Sequence, residues 1–314
     1  MAKLTNPLID TIFKIIFGKE GVSEEFLIDF LNQIFVDDPE FDEIVSVRYG
    51  NPELIENDPR SKRIIYDIHC TTSTGHRFIV EMQRANQRNF IKRMLYYVSR
   101  LITDQVKRIK EENRQSDDAV KKSEYDYMPV VGVFLCDFEI EGFPKKPLVR
   151  SGFGDMETGQ SLTREIKLAF VQLPLFVKRE EECHTGFDKW IYNLRNMEKS
   201  DTLAFKDYRD QLFGRLENVV SYASLTPKEQ AQYDADLKWA MDYNETVLYQ
   251  YDKGVLQGRE QGRAEGRAEG RAEGRNAEKW EIAKAMKKKN QSLEFIADIT
   301  GLPLQELRDN LDKE

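Results

Sequence analysis

The sequence predicts an α/β protein that ends in a helical extension, and three observations carry this prediction. Residues 64–72 and 77–83 read as two strands joined by a turn at 73–75, because β-branched and aromatic residues dominate both runs. Residues 129–136 form a continuous apolar run, which is typical of a fully buried strand. Helical patterns precede and follow these strands, and every element predicted after residue 187 is a helix.

Two amphipathic helices are predicted before the first strands. The first covers Asn6–Phe17 and has Asn6 as its cap. The second follows a cap at Ser23 and buries a face rich in phenylalanine and leucine. A strand is then predicted at Ile44–Tyr49, and the charged, proline-containing stretch at 51–62 reads as a loop that leads into the central hairpin.

The central hairpin carries the candidate chemistry. Because side chains alternate along a strand, Asp67 and His69 share one face of the first strand, and Tyr66 lies on the other. Glu81 and Gln83 share one face of the second strand. Two carboxylates on neighbouring strands suit a divalent metal ion, since Mg²⁺ prefers oxygen ligands; a solvated face of an edge hairpin is the alternative. His69 is expected to be a structural histidine rather than a proton shuttle.

A basic segment begins directly after the hairpin. Residues 83–110 contain eight Lys or Arg residues and one acid, Asp104, although the whole chain has a net charge of −8. Apolar residues at helical spacing, from Phe90 to Ile102, predict a helix here. A separate stripe recurs every four residues, and with Arg93 it gives the candidate nucleic-acid-binding residues Arg84, Arg88, Lys92, Arg93, Tyr96 and Arg100. Local phosphate binding and an ordinary solvated helix face are both compatible with this pattern.

Strands and loops alternate in the middle of the chain. Residues 142–159 read as a loop, Ile166–Leu173 as a strand, and Phe187–Met197 and Asp207–Ala223 as helices. Thr226 and the proline after it predict the start of a further helix.

A glycine falls at every fourth position from Gly254 to Gly274, within the repeat GRAEGRAEGRAEGR. Glycines destabilise a helix interior, so the segment is expected to be a flexible spacer or a helix that a partner stabilises, with self-association as its functional form. Three short helices should follow, in a pattern that resembles a helix-turn-helix. The last is not basic, which favours docking or oligomerisation over DNA binding. The predicted domains are therefore residues 1–250, a helical or flexible linker at 251–276, and a small helical tail at 277–314.

Several classes of protein and site are not expected. The three cysteines are far apart, which argues against disulfides or a zinc site and fits a reducing cytoplasm. No apolar run is long enough for a membrane span, and the N-terminal residues lack a secretory signal. The sequence has no GxSxG, P-loop or GxGxxG motif, so no nucleotide cofactor is expected.

The order of the motifs resembles a known nuclease family. Asp67, Glu81 and Gln83 form the pattern D-x₁₃-E-x-Q, which is similar to the core of the PD-(D/E)XK nuclease superfamily. More specifically, residues 1 to about 251 resemble the Rpn-type recombination-promoting nucleases, which are also classed as transposases. The resemblance rests on four segments in this order: NPLIDTIFKIIFG, EEFLIDFLNQIF, the hairpin YDIHC…FIVEMQ, and RANQRNFIKRMLYYVSRL.

The resemblance implies a mixed sheet flanked by helices, as in restriction endonucleases, and a metal-dependent DNA endonuclease that promotes recombination or transposition. Asp67, Glu81 and Gln83 would be catalytic. Mg²⁺, or Mn²⁺ or Ca²⁺ in vitro, would be held by Asp67, Glu81, the carbonyl of Met82 and an acidic residue of the second helix. Glu25 is the candidate for that residue, with Glu24 and Asp29 as competitors.

Gln83 stands where a lysine is usual in the superfamily, although this family commonly has the ExQ form. Glutamine orients water but carries no charge, so Lys14 or Arg84 would have to lie close to supply one. DNA is the expected partner, with self-association and no membrane contact. The alternative function is a noncatalytic DNA-binding or assembly protein that retains the nuclease fold.

Overall fold

The computed structural model describes residues 3–39, 41–50, 53–54, 64–116 and 121–311. It divides into two compact units, Met1–Ala240 and Met241–Glu314. The helices are α1 (Asp10–Phe17), α2 (Glu24–Phe35), α3 (Phe90–Gln115), α4 (Gly186–Asn196), α5 (Leu212–Val220), α6 (Pro227–Lys288), α7 (Leu293–Thr300) and α8 (Leu304–Leu311). The strands are β1 (Val47–Tyr49), β2 (Glu53–Leu54), β3 (Ile64–Ile65), β4 (Ile68–Thr72), β5 (Arg77–Gln83), β6 (Val130–Cys136), β7 (Leu148–Gly152) and β8 (Ile166–Gln172).

The first unit is built on a six-stranded mixed sheet with the order β1-β4-β5-β6-β8-β7. β4 and β5 form an antiparallel hairpin, β5 pairs in parallel with β6, and β6 pairs in parallel with β8. The outer strands β1 and β7 pair antiparallel with their neighbours. The predicted α/β class and the mixed sheet flanked by helices are therefore confirmed.

Alternation along the central strands gives the sheet two apolar faces. Phe78, Val80 and Val133 join a core that contains buried residues of α1, α2, α4 and α5. Ile79 and Phe134 point the other way and pack with buried residues of α3. The sheet is thus covered on both sides, which explains why β6 is buried along its whole length.

The first predicted strand of the hairpin is interrupted. β3 pairs with β2 in a separate two-stranded sheet, and β4 begins only at Ile68. Because Tyr66 and Asp67 lie between the two strands, alternation does not hold across them. Tyr66 consequently packs in the α3 core, whereas Ile68 and Cys70 lie in the other core, so the predicted face of Tyr66 was wrong.

Other predicted boundaries also differ from the structure. α3 begins at Phe90, after Asn89 in a left-handed conformation with φ 62°, so the predicted helical stripe does not include Arg84 or Arg88. α5 begins at Leu212, because the preceding residues 209–211 all have positive φ. β7 forms within the stretch predicted as a loop. Within the predicted loop at 51–62, Glu53–Leu54 form the strand β2, and the remaining residues lie outside the described part of the chain.

The second unit contains most of α6, followed by α7 and α8. α6 continues without a break through the glycine repeat, so the predicted boundaries at 250 and 276 both fall inside one helix. Ala283, Ile296, Leu302 and Leu307 form a small core with Leu311. Within the described residues, no helix is both long enough and apolar enough to cross a bilayer.

Candidate active site

The hairpin joins Asp67 and Glu81 through hydrogen bonds. The backbone N–H of Asp67 donates to Oε1 of Glu81 over 3.2 Å, and the backbone N–H of Met82 donates to Oδ2 of Asp67 over 2.8 Å. Each carboxylate thus accepts a bond from the backbone of the partner segment. The two acidic groups lie together at the end of the hairpin remote from its turn, with Asp67 directly before β4 and Glu81 within β5.

Burial gives this pair unusual electrostatics. Desolvation raises the pKa of Asp67 to about 6, with Asp10 adding to the increase, while the Met82 N–H, Lys14 and Arg93 oppose it. Desolvation also raises the pKa of Glu81 well above its usual value, and the negative charge of Asp67 raises it further. Glu81 is only 3% exposed. Two carboxylates that disfavour each other's ionisation in this way are a common arrangement at functional sites.

Gln83 extends the site toward α3. Its Nε2 donates to Oε2 of Glu81 over 3.3 Å, and its Oε1 accepts a hydrogen bond from the Arg93 guanidinium. Arg93 also donates to Oε1 of Gln87, in the loop before α3, and lies 5.9 Å above the ring centre of Tyr97. Arg93 was predicted as a phosphate-binding residue, but the structure places it within the carboxylate network. Its positive charge opposes the increase in the pKa of both acids.

α1 supplies two further charged groups that face the pair. Lys14 forms an ion pair with Asp10 over 2.7 Å, one helical turn away. Burial lowers the pKa of Lys14, but Asp10 and Asp67 raise it above its usual value. Lys14 is therefore the nearby cation that the sequence suggested, and Asp10 is a functional candidate that the sequence reasoning missed. Their i,i+4 spacing was the available signal.

The acidic residues of α2 have other partners. Glu25 accepts hydrogen bonds from Arg215 of α5, at 2.6–3.1 Å, so the structure does not support it as the helix residue of the metal site. Asp29 is buried and accepts a hydrogen bond from Nε1 of Trp190 over 2.6 Å. It also lies 2.9 Å from Arg209. Asp29 therefore ties α2 to α4 and to the segment before α5.

The other residues predicted to bind nucleic acid divide into two groups. Arg88 and Lys92 are exposed and line a cleft of about 400 Å³ with residues before α3 and after β6, and neither forms an ion pair with a described residue. Tyr96 is 51% exposed on the same helix. Arg84 instead lies near Asp137. Burial raises the pKa of Asp137, and the positive charge of Arg84 opposes part of this increase. Arg100 lies near Tyr66, where its charge partly opposes the burial that raises the pKa of that phenol.

The surroundings of His69 fit a structural role. It is 4% exposed, and its ring lies 6.0 Å from that of Tyr66. A Cβ on Gly50 would come within 2.7 Å of Nδ1 of His69, so the backbone of this glycine covers the ring. The chain directly after β1 thus needs a residue without a side chain at this position.

The donor set fits a hard divalent cation. The pair offers two desolvated carboxylates, and a cation between them would offset the desolvation that raises both pKa values and the charge of Asp67 that raises that of Glu81. Gln83 adds an amide beside them. No cluster of three or more His, Cys, Asp or Glu side chains arranged for a metal occurs in the described ranges. Met82 contributes its N–H to Asp67, and a role for its carbonyl stays a prediction.

One family model matches residues 7–250, and its description is PD-(D/E)XK nuclease family transposase. The chain belongs to this family. The match includes the sheet, the carboxylate pair and the first part of α6, and it confirms the resemblance drawn from the motifs. Searches of curated proteins and of solved structures found no significant match. Membership in the PD-(D/E)XK transposase family supports a nuclease-type protein, and divalent metals are typical of this family.

Gln83 occupies the position at which the superfamily pattern has a lysine. Arg93 reaches Gln83 from α3, and Lys14 faces Asp67 from α1. Arg93 therefore contacts the amide that replaces the lysine, and Lys14 acts on the two carboxylates beside it.

Proposed function

We propose that this protein is a metal-dependent DNA endonuclease that promotes recombination or transposition. The observation that carries the proposal is the buried Asp67–Glu81 pair, held together by hydrogen bonds beside Gln83 and Arg93. The family match supports the same class. A reducing cytoplasm is part of this proposal.

Asp67 and Glu81 would hold Mg²⁺ in this proposal. When bound, the ion would lower the pKa of a water and stabilise charge on the phosphoryl oxygens. Gln83 uses both ends of its amide for protein contacts, so it fixes the rotamer of Glu81 and leaves less capacity to bind water. Arg93 and Lys14 supply positive charge on the two sides of the pair, which favours the ionised carboxylates.

The DNA backbone would lie along the start of α3. Arg88 and Lys92 are exposed at the cleft beside this helix, and their charges suit phosphate groups. The acidic net charge of the chain makes the contact local. Phosphates bound here would be next to the loop that carries Gln87. Arg93 donates hydrogen bonds to both Gln87 and Gln83, and so connects this loop to the site.

The test is cleavage of supercoiled plasmid DNA with Mg²⁺, comparing the parent with Asp67→Asn and Glu81→Gln. These changes keep side-chain shape and remove one charge each. We expect each to lower the rate by about a thousandfold or more, because the metal site loses a ligand charge. Glu157→Gln, which changes an exposed carboxylate in the loop between β7 and β8, is the matched control and should cleave normally.

Equal cleavage by the parent and both site variants would show that the assigned pair is not the catalytic site. A parent that binds DNA but never cleaves it with Mg²⁺ or Mn²⁺ would favour the alternative, a noncatalytic DNA-binding or assembly protein with the same fold. The amide contacts that occupy Gln83 are the structural feature that agrees with this second reading.

A further inference from the structure

Tyr66 lies in the break between β3 and β4, directly before Asp67. Its side chain is fully buried and packs with apolar residues of α3. The hydroxyl donates a hydrogen bond over 3.0 Å to the main-chain carbonyl of Tyr97, and the two rings meet edge to face with their centres 5.8 Å apart. The residue that precedes the first carboxylate of the site is therefore tied to α3 by a directional contact.

The contacts of Tyr97 lead back to the site. Arg93 is one helical turn before Tyr97 on α3, and its guanidinium carbon lies 5.9 Å from the centre of the Tyr97 ring. Arg93 also donates to Gln83, whose amide nitrogen donates to Glu81. The contacts form a closed circuit, which we call the contact ring and which consists of Tyr66, Asp67, Glu81, Gln83, Arg93 and Tyr97.

Apolar packing by itself defines the position of α3 along its own axis poorly. The buried face of α3 covers the sheet with apolar side chains, and the hydrophobic contribution of such contacts is not directional. Gln105 exchanges two hydrogen bonds with the backbone of Met128, at 3.0 and 3.1 Å. It lies about 12 Å beyond Tyr97 along the helix, however, whereas the hydrogen bond from Tyr66 acts one turn from Arg93. The Tyr66 hydroxyl is therefore well placed to fix the start of α3.

We propose that Tyr66 is a positioning residue for the site. Its hydroxyl fixes the start of α3 so that Arg93 reaches Gln83, and Gln83 is then oriented to hold Glu81. Because Tyr66 is fully buried against α3, it acts through Arg93 and not on DNA. The consequence for cleavage rests on the proposed function, whereas the consequence for the position of Arg93 does not.

Tyr66→Phe is the test variant, because it keeps the buried ring and removes the hydroxyl alone. The carbonyl of Tyr97 keeps its hydrogen bond within the helix, so the change leaves this group paired. Tyr49→Phe is the matched control. The hydroxyl of Tyr49 also donates to a helix carbonyl, that of Phe17 at the end of α1, over 2.9 Å. The two variants therefore lose the same kind of hydrogen bond, and Tyr49 is not part of the contact ring.

Hydrogen–deuterium exchange of the full chain, read by mass spectrometry, tests the positioning without DNA or metal. In Tyr66→Phe, the amides of residues 93–100 should exchange at least about fivefold faster than in the parent, because the start of α3 opens more often. The amides near Gln105 should keep the parent rate, and so should all of α3 in Tyr49→Phe. Unchanged exchange at 93–100 in Tyr66→Phe, or equal acceleration along the whole helix, would overturn the proposal whether or not the protein cleaves DNA.

A double-mutant cycle with Arg93→Ala tests the consequence for cleavage. Tyr66→Phe alone should lower kcat about ten- to hundredfold with little change in KM, because it displaces Arg93 and removes no DNA contact. In the Arg93→Ala background, the same change should lower kcat less than about twofold. Equal losses in the two backgrounds, or a higher KM at constant kcat, would overturn the proposal. A parent that does not cleave DNA would contradict the proposed function instead, and the exchange rates would then decide the role of Tyr66.

Discussion

Arg93 donates a hydrogen bond to the amide oxygen of Gln83, which directs the amide nitrogen of Gln83 toward Glu81. A residue on α3 thus sets the orientation of a side chain on β5. In the sequence these residues are ten positions apart and look like parts of different features, a strand motif and a basic helix. The structure makes them one unit with the carboxylate pair, and five predictions follow from this unit and its surroundings.

Replacing Arg93 should change the pH dependence of cleavage. Arg93→Ala removes a charge that favours the ionised forms of Asp67 and Glu81, so both acids should ionise at higher pH. We expect a slower rate and an acidic limb of the pH–rate profile that moves upward. Lys199→Ala, which removes an exposed lysine outside the site, is the control. A profile that moves equally in both variants would contradict a specific role for Arg93.

The stability of the metal-free protein should fall as the pH rises. Asp67 and Glu81 have folded pKa values above their unfolded ones, so their contribution is present below the unfolded pKa near 4 and is lost as the pH passes the folded values, about 6 for Asp67. Asp67→Asn should therefore be more stable than the parent by about 1–2 kcal/mol near pH 8 and not near pH 4. Urea unfolding at several pH values measures this difference.

The effect of Mg²⁺ on stability should also depend on pH. It should raise the melting temperature of the parent near pH 8 far more than near pH 5, because cation binding requires ionised ligands. The increase should be small in Asp67→Asn and unchanged in Glu157→Gln. Equal stabilisation of the parent and Asp67→Asn by Mg²⁺ would place the metal elsewhere, whether or not the protein cleaves DNA.

Arg88 and Lys92 should contribute to DNA affinity through phosphate contacts. Each alanine variant should bind duplex DNA more weakly, and the slope of log affinity against log salt should decrease by about one per residue. Fluorescence anisotropy over a salt series measures both effects. Lys199→Ala, which removes an exposed lysine near the end of α4, is the control. If this variant reduces the salt slope as much as the other two, DNA binding is not localised to the start of α3.

Asp29 should matter for stability and not for the metal. Asp29→Ala leaves Nε1 of the fully buried Trp190 without its acceptor, which should cost about 1–3 kcal/mol. It also leaves the half-exposed Arg209 without its charge partner, which should add little. The Mg²⁺-induced rise in melting temperature should survive in this variant. Its loss, with the fold intact by circular dichroism, would return α2 to the list of metal-site candidates.

The sequence predicted the hairpin well because alternation and turn residues are local signals. The turn, β5 and both of its faces follow from the order of residues 73–83 alone. Tyr66 was assigned to the wrong face because the run from Ile64 to Ile68 looks like one strand. The pairing of β3 with β2 is a long-range choice, and no local pattern marks the break between β3 and β4.

The helix contributions to the site could not be predicted in the same way. Glu25 and Asp29 are acidic residues at plausible positions, and only packing against Arg215 and Trp190 shows that each has another partner. The four-residue stripe that includes Arg84 and Arg88 continues the helical rhythm of α3, yet α3 starts at Phe90 because Asn89 turns the chain. Such decisions depend on which residues meet in three dimensions.

The pairing of β5 on its two sides has a consequence for how the site assembles during folding. β4 and β5 are joined by a few residues, so Asp67 and Glu81 can meet as soon as a local hairpin closes. β6, on the other side of β5, and α3 with Arg93 require the chain as far as Cys136 to be in place. We therefore expect the acidic pair to form before Arg93 docks against it, so that a slow step in docking α3 would delay the organised site without delaying the hairpin.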